Sequence, residues 1–329
     1  MSILVTGAAG YIGRHVLRAL GGDVVALDLV EPAYRAIPPG VEFVRGDVRN
    51  RVQLDRLFET NRIDGVIHLA ARKSVAESIH DPGGYFDHNV SGSFTLLSAM
   101  AAAGARRFVF SSSAAVYGVP STVPVDESAP LRPTNPYGET KVLVERALPW
   151  FEHAHGLRYA SLRYFNAAGA DPSGDIGEDL TGSANLIPVV MRATLRTGPA
   201  VPIFGRDHPT PDGTPIRDYV HVVDLAKAHI RALEALEGAR PSLTVNLGTG
   251  VGSSVLEIIR AVEDVSGEVV PRQDTARRPG DPPAIWADVD RARRELGWEA
   301  SYGLRDIIET SWRWHSRGKR PRLVTGEGA

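Results

Sequence analysis

Residues 2–28 read SILVTGAAGYIGRHVLRALGGDVVALD, and this stretch decides the fold. Its opening run is apolar without alternation, as a strand buried on both faces must be. Gly7, Gly10 and Gly13 follow at three-residue spacing. Such glycines allow a tight turn and a close approach of backbone to a phosphate seated on a helix N-terminus. A helix is expected over 11–20, then a second apolar strand ending at Asp28. A lone glycine string would mark only a turn that needs positive φ. Here it lies between two buried strands, with a carboxylate 21 positions after Gly7. That carboxylate accepts hydrogen bonds from the adenosine ribose and repels a 2′-phosphate, so NAD is expected rather than NADP.

Outward from this unit the alternation continues. Strands are expected at 41–44, 65–70, 106–112 and 157–165, with helices near 51–60, 85–103 and 135–155. Alternating strands and helices predict an α/β fold with a doubly wound parallel Rossmann sheet. After about 168 the pattern loosens into Gly-, Pro- and Asp-rich loops, with helices near 185–197, 222–237 and 253–266. We therefore expect an NAD-binding Rossmann domain over 1–168. A smaller, loop-rich C-terminal substrate lobe follows mainly over 169–316, some of whose segments return to the first domain, and then a solvated tail over 317–329. Trp312, Trp314 and His315 read as one amphipathic helix docking on the body.

The charge is nearly balanced, 37 basic against 39 acidic residues, which argues against broad electrostatic binding to nucleic acid or membrane. Cysteine is absent, so disulfides, thiol nucleophiles and zinc–thiolate sites are excluded. The chain enters its first strand without a basic and apolar leader, and no apolar run spans a bilayer; a cytoplasmic protein is the expectation. His153 and His155 stand two apart on a helix and make a poor ligand pair, His68 lies in an apolar strand, and no metal motif is present. No metal is expected.

The chemistry concentrates in PYGETK, where Tyr137 and Lys141 stand four apart. On a helix they share one face. An ammonium there stabilises a phenolate, giving a base that can take the proton of an alcohol. Ser111, Ser112 and Ser113 close the strand before it, and ligands of such sheets bind at the carboxyl ends of strands. Serines at such a place also commonly satisfy loop amides. Asp47, after the third strand, reads equally as an adenine contact or a helix cap.

The TGAAGYIG opening, the SSSAAVYG segment (111–118) and the Tyr137/Lys141 pair resemble the extended short-chain dehydrogenase/reductase superfamily. LRYFNAAGADPSGDIGED (162–179), DGTPIRDYVHVVDLA (212–226), VNLGTGVGSSVLEII (245–259) and RRPGDPPAIWAD (277–288) are similar to the UDP-glucose (UDP-galactose) 4-epimerase family, and the likeness runs to about residue 316. The resemblance implies reversible 4-epimerisation through a 4-keto intermediate with tightly bound NAD. It assigns Tyr137 as base, Lys141 as its partner on the nicotinamide ribose, and Ser113 as the hydroxyl beside the sugar 4-OH. Around the cofactor it places Tyr11, Ile12, Asp47, Val48, Leu69, Ala70, Ala71, Lys73, Asn89, Ser111 and Tyr164. Around the UDP-sugar it places Asn166, Asn185, Leu186, Ile203, Phe204 on the uracil, Arg217 and Arg278 on the diphosphate, Asp281 on the ribose, and Ile285 as the gate on the hexose. It further implies a homodimer packing the helices near 85–103 and 135–155 into a four-helix bundle.

Neighbouring activities fit these residues less well. A sugar-nucleotide dehydratase resembles a Thr-Asp-Glu pattern where this chain has Ser113, Ala114 and Ala115, and two alanines transfer no proton. Epimerases of UDP-N-acetylglucosamine or UDP-glucuronate are closer rivals. A binding protein that merely senses NAD has no reason to keep tyrosine, lysine and serine together.

Overall fold

Leu4 and Val5 are both fully buried, one on each face of the same sheet, which is why the opening run shows no alternation. The computed structural model describes residues 2–31, 37–179, 183–238, 240–278 and 280–317; the expected tail lies, after Arg317, outside them.

Strands β1 (Ser2–Thr6), β2 (Val24–Asp28), β3 (Val41–Arg45), β4 (Ile63–His68), β5 (Arg107–Ser111) and β6 (Arg158–Tyr164) alternate with six helices. These are α1 (Tyr11–Leu20), α2 (Arg51–Thr60), α3 (Val75–His80), α4 (Pro82–Tyr85), α5 (Gly92–Ala103) and α6 (Pro136–His155). A π-helical stretch, Phe86–Ser91, joins α4 to α5, and a 3-10 turn, Ala114–Tyr117, follows β5. The second half holds β7 (Asn166–Ala168), α7 (Leu186–Thr194), β8 (Val201–Phe204), β9 (Ile216–His221), α8 (Val222–Ala235) and β10 (Leu243–Leu247). It ends with β11 (Gly252–Ser254), α9 (Val255–Ser266), β12 (Arg272–Thr275), β13 (Ala284–Ile285), α10 (Asp290–Leu296) and α11 (Leu304–His315).

The main sheet has the order β3-β2-β1-β4-β5-β6-β10, and every pairing in it is parallel. This is a doubly wound sheet whose order reverses between β1 and β4. One face buries Val5, Ala26, Ile67, Val109 and Leu162 under α1, α8 and α10; the other buries Leu4, Val25, Val66, Phe108 and Phe110 under α2, α5 and α6. Residues far along the chain thus complete the first layer: β10 extends the sheet beside β6, and α8 packs against α1. A third core, with Ile187, Val190, Ile203, Ile258 and Ile307, joins α7, α9 and α11 around the short strands of the second lobe.

Local signals fix the element that matters most. Asn135 caps α6 by accepting from the Gly138 amide at 2.9 Å, Pro136 occupies the first turn, and Gly156 closes the helix in the left-handed region. Among the described residues no helix is long and apolar enough to cross a membrane.

Candidate functional site

The cleft opens where the strand order reverses, at the carboxyl ends of β1 and β4. Gly7 turns the chain at φ 69°, and a Cβ there would lie 2.6 Å from the Ala70 nitrogen. A Cβ on Gly13 would meet the Gly7 carbonyl at 2.2 Å. Only glycine lets the loop, α1 and the β4 loop pack this closely. Gly10 caps α1 without any side-chain hydrogen bond, so the first-turn amides remain available to an anion. Tyr11 reaches away to donate to the Gly169 carbonyl at 2.6 Å, and Ile12 packs on the core. Asp28 closes β2 and accepts from the Ala9 amide at 2.9 Å, tying the second strand to the glycine loop. These features fit a dinucleotide with its pyrophosphate on α1 and its adenosine ribose at Asp28.

The residues around this cleft divide by what holds them. The Leu69 amide donates to Thr6, which places Leu69, Ala70 and Ala71 along the floor. Asn89 is buried and fully occupied: it accepts from the Arg72 amide at 2.8 Å and donates to the Arg72 carbonyl and Thr140. It reaches the cleft only through the loop it braces. Asp47 is not the cap of α2; Asn50 is, and Asp47 instead chelates Arg49. That ion pair holds its carboxyl below the usual carboxylate range. Val48 is a core residue beside α5.

Three consecutive serines at the end of β5 go three different ways. Ser111 bonds His229 at 2.6 Å, Ser112 donates to Glu145 at 2.5 Å, and Ser113 accepts from the Ala115 amide at 3.1 Å. Lys141 donates to the Ser111 carbonyl at 2.8 Å, with its nitrogen 4.9 Å from the Phe110 ring centre and 5.8 Å from that of Tyr137. The sequence reading has the ammonium lowering the phenol pKa. In the structure burial instead raises Tyr137, with Ser113 as the opposing influence, while the ammonium donates to a carbonyl. Burial also brings Lys141 down to about 7, against the raising influence of Glu145.

In the second lobe, Arg217 and Asp281 form an ion pair, and the Arg278 guanidinium lies 3.7 Å from the centre of the Phe204 ring. Arg278 and Asp281 line a cavity of about 510 Å³ with His208, Pro209, Arg277 and Pro283. Ile203 is buried beside Phe204 on β8. Asn185 starts α7 next to Leu186, and its amide donates to Glu178 at 3.2 Å. Lys73 approaches the same carboxylate at 3.7 Å. Asn166 pairs with Tyr219 on β9. Ile285 pairs with Arg217 and joins a buried cluster with Val116, Tyr117 and Phe165.

Sequence reasoning missed His229, Glu145 and Glu178. Glu145 was visible as the next step of the four-residue series Tyr137, Lys141, Glu145; the other two carry no local signal. Four buried histidines also have a pH consequence. Burial lowers His15, His221 and His229 to about 4 and His68 to about 3, whereas an unfolded histidine titrates near ~6.5. Between these values the unfolded chain binds more protons, so the histidine contribution is full above about 6.5 and declines as pH falls toward 4. The thermal midpoint should drop between pH 7 and pH 4.5; a flat profile would contradict neutral burial of these rings.

The chain matches the family model for the NAD dependent epimerase/dehydratase family over residues 3–248. It is 46% identical over 320 residues to a UDP-glucose 4-epimerase of Lacticaseibacillus casei, covering 96% of this chain and 97% of that one. Among solved structures it resembles a UDP-glucose 4-epimerase from Stenotrophomonas maltophila with bound NAD and formylated UDP-arabinopyranose. The TM-score is 0.93, with 44% identity over 97% of this chain and 99% of that one. A Bifidobacterium longum UDP-glucose 4-epimerase in complex with NAD+ and UDP gives a TM-score of 0.91 at 39% identity, over 97% and 99% of the two chains.

Proposed function

The chain belongs to the NAD dependent epimerase/dehydratase family, and on that footing we propose that it interconverts UDP-galactose and UDP-glucose by inverting C4 with tightly bound NAD. The observation that carries this reading is the grouping of Ser113, Tyr137 and Lys141 at the end of β5, across the cleft from the glycine loop. Ala114 and Ala115 follow Ser113, so no side chain there can shuttle protons for loss of water.

NAD, when bound, would supply a reversible hydride acceptor facing C4 of the sugar. The protein's own work is proton transfer and positioning. Ionised Tyr137 takes the proton from the 4-OH and gives it back, with Ser113 holding the oxygen in line. Lys141 supplies positive charge on the same helical face. Arg217 and Arg278, planar donors suited to a diphosphate, anchor the nucleotide with Phe204 and Asp281, while the hexose turns. Asp28 favours NAD over NADP. The test is turnover of UDP-galactose by purified protein without added cofactor. A requirement for stoichiometric NAD, with accumulation of NADH, would make it a net dehydrogenase instead.

Ile285 sets the expected sugar choice in this proposal. It is β-branched, hence stiff about χ1, and sits in register with Arg217. UDP-galactose and UDP-glucose should be the main pair, with slow turnover of their N-acetylated counterparts. Ile285→Tyr should abolish the slow activity and spare the main one; a variant unchanged on both would move the gate elsewhere. The proposal includes a homodimer through α5 and α6, supported by Trp150 on α6, which is 73% exposed beside the Phe94–Phe151 contact. Sedimentation of the protein reads its mass directly.

A further inference from the structure

His229 stands one layer behind the cleft, on α8, fully buried. Its Nδ1 lies 2.8 Å from the Leu225 carbonyl, which can only accept, so Nδ1 carries the hydrogen. In the neutral ring Nε2 is then an acceptor, and the Ser111 hydroxyl at 2.6 Å must donate to it. Ser111 has one hydrogen, so its oxygen has only lone pairs left for its other side. The Tyr164 ring is tilted against the His229 ring at 6.2 Å. The hydrogens of this chain therefore run one way, from Ser111 to His229 to the Leu225 carbonyl. The Ser111 oxygen, at the carboxyl end of β5 where the reactive ring of a dinucleotide is expected, is left with lone pairs only.

We infer that His229 is a positioning residue of the reaction, which by fixing the Ser111 hydroxyl as an acceptor orients the nicotinamide and favours its oxidised, positively charged form. This rests on the epimerase reading above. Lone pairs aimed at a cationic ring stabilise it relative to the neutral reduced ring. A Ser111 hydroxyl free to turn its hydrogen into the cleft would do the opposite. The same serine's carbonyl holds Lys141, so its conformation matters on two sides.

The experiment compares wild type, H229N, H229Q and S111A, all loaded with NAD. Wild-type turnover of UDP-galactose tests the epimerase reading, and the variants tested relative to it address only the inference. H229N is too short to reach Ser111, whereas H229Q keeps an acceptor near the place of Nε2. In H229N, kcat should fall about 10- to 100-fold, the range of outer-layer partners, with KM within about twofold. The share of bound cofactor found reduced during turnover, read by nicotinamide fluorescence, should rise several-fold. H229Q should recover most of both. S111A should show the same split, and adding H229N to it should cost little more, because the two act as one unit. The inference is overturned if H229N keeps wild-type kcat, if H229Q is no better than H229N, or if the losses in S111A and H229N simply add. Should H229N not fold, S111A alone decides: normal kcat with a normal reduced fraction rejects the role.

Discussion

Replacing Tyr137 by phenylalanine should lower turnover by about two to four orders of magnitude, the usual reach of general acid–base catalysis. The fold and NAD content should be unaffected. The Tyr137 side chain is buried on α6 beside Lys141, so removing one oxygen leaves the packing of the helix in place. Rapid quenching on UDP-galactose, with bound NAD measured in the same preparation, reads both quantities. Near-normal turnover would remove Tyr137 from the chemistry and point to Tyr164, the half-buried phenol at the end of β6.

The second large effect is on stability. Glu145 and Arg163 form a buried ion pair at 2.6 Å, each side chain about 7% exposed. Ser112 donates to the carboxylate, and Arg163 also donates to the Tyr117 hydroxyl at 3.0 Å and to the Glu127 carbonyl. Tyr117 passes its hydrogen to Asn246 on β10 at 2.6 Å. Arg163→Met leaves the Glu145 charge buried and unpaired, and should cost about 3–5 kcal/mol in urea unfolding at fixed NAD content. Glu145→Leu combined with Arg163→Met should recover much of that loss, because an apolar pair strands no charge. A single variant within about 0.5 kcal/mol of wild type would show that the charge escapes to solvent.

Much of this was legible in the sequence because the informative spacings are local. The glycine loop, the buried runs of β1 and β2 and the Tyr137/Lys141 helix each lie within a few turns of chain, where periodicity reports burial and facing directly. What periodicity does not report is the partner. LTVNL (243–247) shows a buried strand, yet nothing in it says that it lies against β6 rather than in the second lobe. The strands of that lobe run two to six residues, too short to display a period. The site follows the same rule. His229 and Ser111 meet across 118 residues, and Glu178 joins Asn185 and Lys73 only through tertiary packing. The lysine was foreseen near the tyrosine, but its attraction to the Ser111 carbonyl depends on how β5 ends, which no spacing encodes.

The late arrival of β10 in the main sheet bears on how the protein is made. As the chain leaves the ribosome, β6 is complete while its outer neighbour is still unsynthesised, so the backbone of Arg158–Tyr164 waits as an open edge. At roughly 5–20 residues per second of translation, that edge stays bare for several seconds until Leu243–Leu247 emerges. An unpaired edge recruits other strands, so the nascent chain is most exposed to misassociation in this interval. A stop codon soon after residue 168 would make the interval permanent and should give an aggregating fragment, not a free-standing cofactor module.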